Sequence, residues 1–206
     1  MRQPRAVIDL NRYRGHEVEP LLLLVDLQQE FVAEGRLLQI QSVAPALENC
    51  RRLLDHARAC KWSIAHARWM QRGPYFNEAM PYSGWIDGFE PHGSEMVFNK
   101  TGPSCYSAPN FAEMMATGIS DNTIIAGLTG AVSCLATVVE GASNNHRYTF
   151  VTDASASHAC ETADEYSAHD QACFIASHHV RTTTTSDIVG CPAPTVHHLP
   201  DQRPRP

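Results

Sequence analysis

Short apolar runs alternate with segments of helical periodicity along most of this chain. The first run, PLLLLVDLQQEF, is continuous in apolar residues and ends in a charge, which is typical of a strand buried on both faces of a parallel sheet. The next segment, SVAPALENCRRLLDHARAC, spaces its apolar residues at steps of three and four, as one face of a helix does. This alternation favours an α/β fold.

Later segments continue the alternation. KWSIAHAR, MVFNK, NTIIAGL and YTFVTDA predict four more strands, and VRTTTTSDI predicts a last one. A helix is expected from about Ser133 to Asn144, and in TADE we expect Thr162 to cap another helix while Glu165 reaches back. The regular alternation of strands and helices indicates an open, mostly parallel sheet with helices on both faces.

Length and charge narrow the class of protein. The 206 residues predict a single domain over 1–206, with a polar N-terminal arm (1–19) and a Pro- and His-rich C-terminal tail (190–206). The net charge of −6, without a basic block, argues against nucleic acid as a partner. No apolar stretch approaches the ~20 residues of a membrane span. Seven cysteines without paired spacing, and no export signal, predict reduced thiols in the cytoplasm.

Three chemically active residues follow predicted strands. Asp26 follows the first strand, Lys100 ends the third and Cys134 comes just after the fourth. In open α/β sheets, ligands bind at the carboxyl ends of the strands near a topological switch point. We therefore expect these three side chains to face one crevice.

The three residue types complement one another chemically. A thiol reacts as its thiolate, which a helix N-terminus and a nearby ammonium group both favour. The carboxylate of Asp26 can accept the proton of Cys134 and later return it to a leaving amine. Backbone N–H groups in LTGAVSC can hold an oxyanion. Taken singly, each residue has an ordinary structural role, but together they predict nucleophilic catalysis.

Four segments, LLLLVDLQQEF, VFNKTGPSCYS, IIAGLTGAVSCLATVVEGA and YTFVTDASASH, resemble the isochorismatase-like cysteine hydrolases. The resemblance spans roughly residues 20 to 187. It implies a three-layer α-β-α architecture with a six-stranded parallel sheet, and a catalytic triad of Asp26, Lys100 and Cys134. It also implies a cis peptide bond between Thr129 and Gly130, and an oxyanion hole made by the amides of Gly130 and Cys134.

The chain also departs from parts of this family. Members that bind a metal carry an Asp-x-His pair after the second strand, whereas this chain has IAHARWMQRGPYF, with His66 and no such pair. We therefore predict no catalytic metal and no cofactor. Members that act as isochorismatases on a vinyl ether lack the cysteine, so Cys134 favours amide cleavage.

The long segment between the second and third predicted strands is rich in aromatic residues. With two aromatic residues from other loops it predicts a narrow, partly apolar pocket for a small planar group. Arg68 and Arg72 in the segment are suited to a substrate carboxylate, although a solvated surface charge is the more ordinary role for each. The predicted pocket residues are Phe31, Arg68, Trp69, Tyr75, Phe76, Trp85 and Tyr106.

The sequence thus predicts a cysteine-dependent amidohydrolase. It would cleave the C–N bond of a small amide or ureide through a thioester and release ammonia or an amine. Two alternatives remain open: a nicotinamidase or isochorismatase-type hydrolase, and a catalytically silent oligomeric interaction module. The expected partners are a small-molecule amide substrate and further copies of the chain, in a homodimer or homotetramer.

Overall fold

The computed structural model of the protein describes residues 19–120 and 122–190. Apart from Glu19 and Gly190, the N-terminal arm and the C-terminal tail lie outside the described residues, and so does Cys191. None of the helices in the described ranges is both long and apolar enough to cross a membrane.

A single six-stranded sheet forms the centre of the molecule, and every neighbouring pair of strands is parallel. The strand order is β3-β2-β1-β4-β5-β6. This confirms the predicted fold class and the six-stranded parallel sheet. The strands are β1 (Leu21–Val25), β2 (Ser63–Trp69), β3 (Met96–Lys100), β4 (Thr123–Leu128), β5 (Tyr148–Ala156) and β6 (Arg181–Thr183).

Five α-helices cover the sheet: α1 (Ala44–Ala59), α2 (Pro109–Ala116), α3 (Leu135–Ser143), α4 (Glu165–Ser177) and α5 (Thr185–Val189). Helices α1 and α5 pack into one apolar cluster, while α2, α3 and α4 contribute to a second cluster. The fully buried strand β1 divides its side chains between them, with Leu22 and Leu24 in the first cluster and Leu21 and Leu23 in the second. The side-chain alternation of a strand thus supplies both cores of a three-layer fold.

Several local details differ from the sequence-based expectations. Helix α4 is capped by Asp164, whose carboxylate accepts the Ser167 N–H at 2.7 Å. The prediction that Thr162 caps this helix is wrong, because Asp164 is the capping residue. Glu165 does not reach back to Thr162 but accepts the backbone N–H and the hydroxyl of Ser42. The segment VRTTTTSDI divides into β6 and α5, since Thr184 and Asp187 form a capping box that starts a helix. Helix α2 had not been predicted.

The strand order places a topological switch point between β1 and β4. The chain runs outward from β1 through β2 to β3 and then returns to place β4 on the other side of β1. Gly127 of β4 has φ +123°, and a Cβ atom there would collide with the backbone of Val25. The glycine therefore lets the carboxyl ends of β1 and β4 approach closely. The loops that follow these two strands diverge at this point, which is where α/β sheets bind ligands.

Candidate active site

Asp26 directly follows β1 in the left-handed region of backbone conformation, with φ +50°. Its N–H donates to the carbonyl of Ala67 at 2.7 Å, which holds the turn against β2. The side chain is completely buried. The end of β1 thus presents a carboxylate inside the protein rather than to solvent.

Lys100, the last residue of β3, reaches across the end of β2 to this carboxylate. Its Nζ lies 2.8 Å from Asp26 Oδ2, donates to the carbonyl of Gly102 at 3.2 Å, and lies 4.0 Å from the centre of the Trp69 ring. Lys100 is as fully buried as its partner. A buried ammonium is stable only when paired, and here a carboxylate, a carbonyl and an aromatic face surround it. The predicted meeting of Asp26 and Lys100 is observed.

Ser133 completes the cluster. It lies in a single π-helical turn, Gly130–Cys134, that joins β4 to α3. Its hydroxyl donates to Asp26 Oδ2 at 2.6 Å and accepts from Lys100 Nζ at 3.1 Å. Because the ammonium can only donate, the hydroxyl proton is directed to the carboxylate. The three polar side chains form a closed triad.

The side chain that contacts Asp26 and Lys100 is that of Ser133 and not that of Cys134, which corrects the predicted placement of the cysteine. Its Sγ lies 3.8 Å from the carbonyl oxygen of Gly127, and the side chain belongs to the apolar cluster that contains Val138. Burial raises the pKa of the Cys134 thiol well above its ordinary value, which disfavours the thiolate. The physical reason is helical geometry: adjacent residues in a helical turn point in different directions.

The cis peptide bond of the turn lies one residue earlier in the sequence than predicted. The cis peptide bond joins Leu128 and Thr129, not Thr129 and Gly130. The carbonyl of Thr129 accepts the N–H of Cys134 at 3.0 Å, which is a hydrogen bond of the π-helical turn. That bond uses the Cys134 amide, which is thus not free to hold an oxyanion as predicted.

The electrostatics of Asp26 reflect two opposing effects. Burial raises the pKa of the carboxyl group, while the charge of Lys100 and hydrogen bonds from Lys100 and Ser133 act in the opposite direction. Burial prevails, so the pKa lies above its ordinary value of 3.8. Within the described residues, Asp26 Oδ1 has no hydrogen-bond partner, whereas Oδ2 has two. One carboxylate oxygen thus lies in the interior without a hydrogen bond from the described residues.

Three of the predicted pocket rings lie together beside the triad. The Trp69 ring stacks on Phe76 at a centroid distance of 5.4 Å, and Phe76 contacts Phe31 at 5.3 Å. The buried side chain of Gln28 holds the backbone of Trp69 by accepting its N–H and donating to its carbonyl. Trp69 thus supports Lys100 through its ring and is fixed through its backbone.

The other predicted pocket residues lie in different surroundings. Tyr75 packs beneath the guanidinium of Arg36. Arg68 donates to Asn99 at 2.7 Å and covers the ring of Trp85, so its guanidinium is already engaged.

Tyr106 does not close the crevice as predicted. Its hydroxyl lies 2.7 Å from His146 Nδ1 and 2.9 Å from the hydroxyl of Tyr148, and its ring packs against Phe111 in the second apolar cluster. It follows Lys100 by six positions, but the short helical turn Cys105–Ser107 directs it toward α2 and β5.

A surface cavity of about 640 Å³ lies next to the ends of β2 and β3. It is lined by Met70 and Thr101, which directly follow Trp69 and Lys100, and by Arg72 and Glu78. The triad itself is at most 1% exposed in this conformation. Of the two arginines near the aromatic segment, Arg72 rather than Arg68 faces open space.

No group of three or more His, Cys, Asp and Glu side chains suited to a metal occurs within residues 19–120 and 122–190. The buried His66 instead pairs with Glu95, with its Nε2 2.8 Å from the carboxylate. Burial lowers the pKa of His66 despite this contact. Its position accords with a structural role on β2.

The sequence-based reasoning missed Ser133, although a signal for it was present. Cys134 lies four residues before the apolar Val138, whereas Ser133 lies four residues before the polar Thr137. In the structure the Thr137 hydroxyl donates to the Ser133 carbonyl at 2.7 Å. Helical spacing therefore assigns the cysteine to the core and the serine to the polar side.

Known proteins resemble this chain over most of its length. The sequence model of the isochorismatase domain matches residues 20–187. A maleamate amidohydrolase from Pseudomonas putida KT2440 is 23% identical over 149 residues, which cover 65% of this chain and 70% of that protein.

Solved structures share the fold. An isochorismatase from P. putida KT2440 superimposes with a TM-score of 0.73 at 24% identity, covering 88% of this chain and 99% of the other. A cysteine hydrolase from Pseudomonas syringae pv. phaseolicola 1448A gives a TM-score of 0.72 at 18% identity, covering 85% and 92%. The chain belongs to the isochorismatase family of hydrolases.

Proposed function

We propose that this protein hydrolyses the C–N bond of a small planar amide or ureide, and that Ser133 is the nucleophile. The observation that carries the proposal is the position of Asp26 Oδ2, which lies 2.6 Å from Ser133 Oγ and 2.8 Å from Lys100 Nζ. The similarity to a maleamate amidohydrolase supports an amide as the substrate class.

The acylation step uses all three side chains. Asp26 accepts the hydroxyl proton as Ser133 Oγ attacks the carbonyl carbon, and Lys100 stabilises the developing negative charge on Oγ. The C–N bond then breaks as Asp26 returns the proton to the leaving nitrogen. The products are ammonia or an amine and an oxygen ester on Ser133, in place of the thioester expected for Cys134.

Deacylation reverses these roles. A water molecule attacks the ester carbonyl while Asp26 accepts one of its protons. The C–O bond to Ser133 breaks, Asp26 returns the proton to Oγ, and the acid is released. The amides of Thr129 and Ser133 would hold the oxyanion in both steps, one residue before the pair expected from the sequence.

The test is turnover combined with identification of the acylated residue. The purified chain is incubated with a panel of small amides and ureides, and ammonia release is measured. Acid-quenched samples are digested and analysed by mass spectrometry. The proposal predicts an acyl group on Ser133, and an acyl group on Cys134 would refute it. Loss of the acyl peptide in Asp26→Asn would support its role as base, because an amide cannot accept the proton.

One observation favours a second candidate, hydrolysis of a vinyl ether. A serine is a weaker nucleophile than a cysteine, and the side chain that contacts Asp26 and Lys100 after β4 is a serine hydroxyl. Asp26 has a raised pKa, and its Oδ1 has no hydrogen-bond partner in the part of the chain that the structure describes, so it is suited to donate a proton to a vinyl ether carbon. In that reaction Ser133→Ala would retain activity, whereas Asp26→Asn would lose it.

We also propose a homodimer or homotetramer, which light scattering at micromolar concentration would test.

A further inference from the structure

A second polar cluster holds the turn that carries Ser133 from its other side. The N–H of Ala131 donates to Ser157 Oγ at 2.9 Å, and Ser157 Oγ lies 3.4 Å from His169 Nδ1. His169 Nε2 lies 2.9 Å from the carbonyl oxygen of Thr152. The cluster therefore connects the turn to β5 and to helix α4.

The chemistry of the partners determines the direction of each hydrogen bond. The carbonyl of Thr152 can only accept, so His169 carries its proton on Nε2. In a neutral imidazole, Nδ1 is then an acceptor and receives the Ser157 hydroxyl proton. The Ser157 oxygen in turn accepts from the Ala131 N–H. The three bonds form a directed chain in which the histidine orients the serine, and the serine orients the backbone amide.

The fit around the turn is close. Ser157 is 1% exposed. A Cβ atom added to Gly130 would lie 2.8 Å from His169 Nδ1 and 3.2 Å from Ser157 Oγ. A side chain at position 130 would therefore displace the histidine or the serine. The glycine, the serine and the histidine thus fit together at the amide that precedes Ser133 by two residues.

We propose that Ser157 and His169 are positioning residues that fix the 129–134 turn, and with it the Ser133 hydroxyl and the Thr129 and Ser133 amides, for attack on the substrate. The inference rests on the proposed function, since it assumes that Ser133 reacts. Neither residue touches the reacting atoms. Their effect is transmitted through the Ala131 amide, which a misplaced turn would move together with the nucleophile.

The chain offers a matched control for Ser157. Ser155 lies two residues earlier, on β5, and is also buried, but it takes no part in the hydrogen bonds that join Ala131, Ser157 and His169. Ser157→Ala should lower hydrogen-exchange protection of the Ala131 amide by about tenfold, because that N–H loses its acceptor. It should also lower kcat by about tenfold or more with little change in KM. Ser155→Ala should change neither quantity by more than about twofold.

Two substitutions of His169 separate positioning from simple anchoring. Asparagine can place an acceptor near the position of Nδ1, whereas glutamine can place a donor near that of Nε2. If His169 acts by orienting Ser157, His169→Asn should retain more kcat and more Ala131 protection than His169→Gln. If it only anchors α4 to the Thr152 carbonyl, the order should be reversed.

Different measurements report the failure of each idea. Unchanged protection of the Ala131 amide in Ser157→Ala would overturn the positioning role. Lost protection with unchanged kcat would overturn it as well, because the turn would then not need fixing. Full amide hydrolysis by Ser133→Ala would instead refute the proposed function, which exchange at Ala131 does not test.

Discussion

Ser133 and Cys134 are adjacent in the chain but lie in different environments. The hydroxyl of Ser133 donates to Asp26 at 2.6 Å, whereas the sulfur of Cys134 lies 3.8 Å from the Gly127 carbonyl in an apolar cluster. The π-helical turn after β4 therefore directs the serine to the ends of the parallel strands and the cysteine into the core. The chemistry assigned to the site depends on this one-residue difference.

The Asp26–Lys100 pair should dominate the stability of the site. Lys100→Met removes the cation that pairs with the fully buried carboxylate of Asp26, and we expect a loss of about 3–5 kcal/mol in the free energy of unfolding. The double variant Asp26→Asn/Lys100→Met no longer contains an unpaired charge and should be more stable than Lys100→Met. Denaturant unfolding of the unmodified protein, of Lys100→Met and of the double variant measures both differences in the free energy of unfolding. A double variant no more stable than the single variant would show that the uncompensated charge is not the cause.

The pH dependence of hydrolysis should report the raised pKa of Asp26. The reaction needs the carboxylate form, so activity should fall as the pH decreases through this pKa. Because burial raises the pKa above 3.8, the acid limb of kcat/KM should lie at a higher pH than an ordinary aspartate would give. An acid limb at or below pH 3.8 would contradict this account of the site.

Chelation should leave activity unchanged, because Lys100 supplies the positive charge beside the nucleophile. Dialysis against EDTA followed by the ammonia-release assay tests this directly. A loss of activity that zinc or iron restores would contradict the prediction. The matched control is the same dialysis without chelator.

The sequence predicted most of the architecture for identifiable reasons. Strand β1 is an uninterrupted apolar run and α1 has clear three- and four-residue spacing, so both signals are local. Helix α2 was missed because its eight residues, PNFAEMMA, are too few to show a periodic pattern. The start of α4 was misplaced because Glu165 bonds to Ser42, a residue far away in the sequence.

The sequence predicted two members of the triad, but it did not lead to the third. Asp26 and Lys100 were placed by the rule that ligands bind at the carboxyl ends of parallel strands. The prediction of Cys134 rested on the reactivity of a thiol at the start of a helix, and reactivity does not determine the direction of a side chain. The direction depends on the helical turn that starts at Gly130, whose π-helical winding only the three-dimensional structure shows.

The most direct test of the central claim compares Ser133→Ala with Cys134→Ala on one amide substrate. The account predicts that Ser133→Ala lowers kcat/KM by at least about 10³-fold. Cys134→Ala should stay within about threefold of the unmodified protein, with a stability cost of about 1 kcal/mol, because that thiol only packs in the core. The reverse result, an inactive Cys134→Ala and an active Ser133→Ala, would contradict the assignment of Ser133 as the nucleophile.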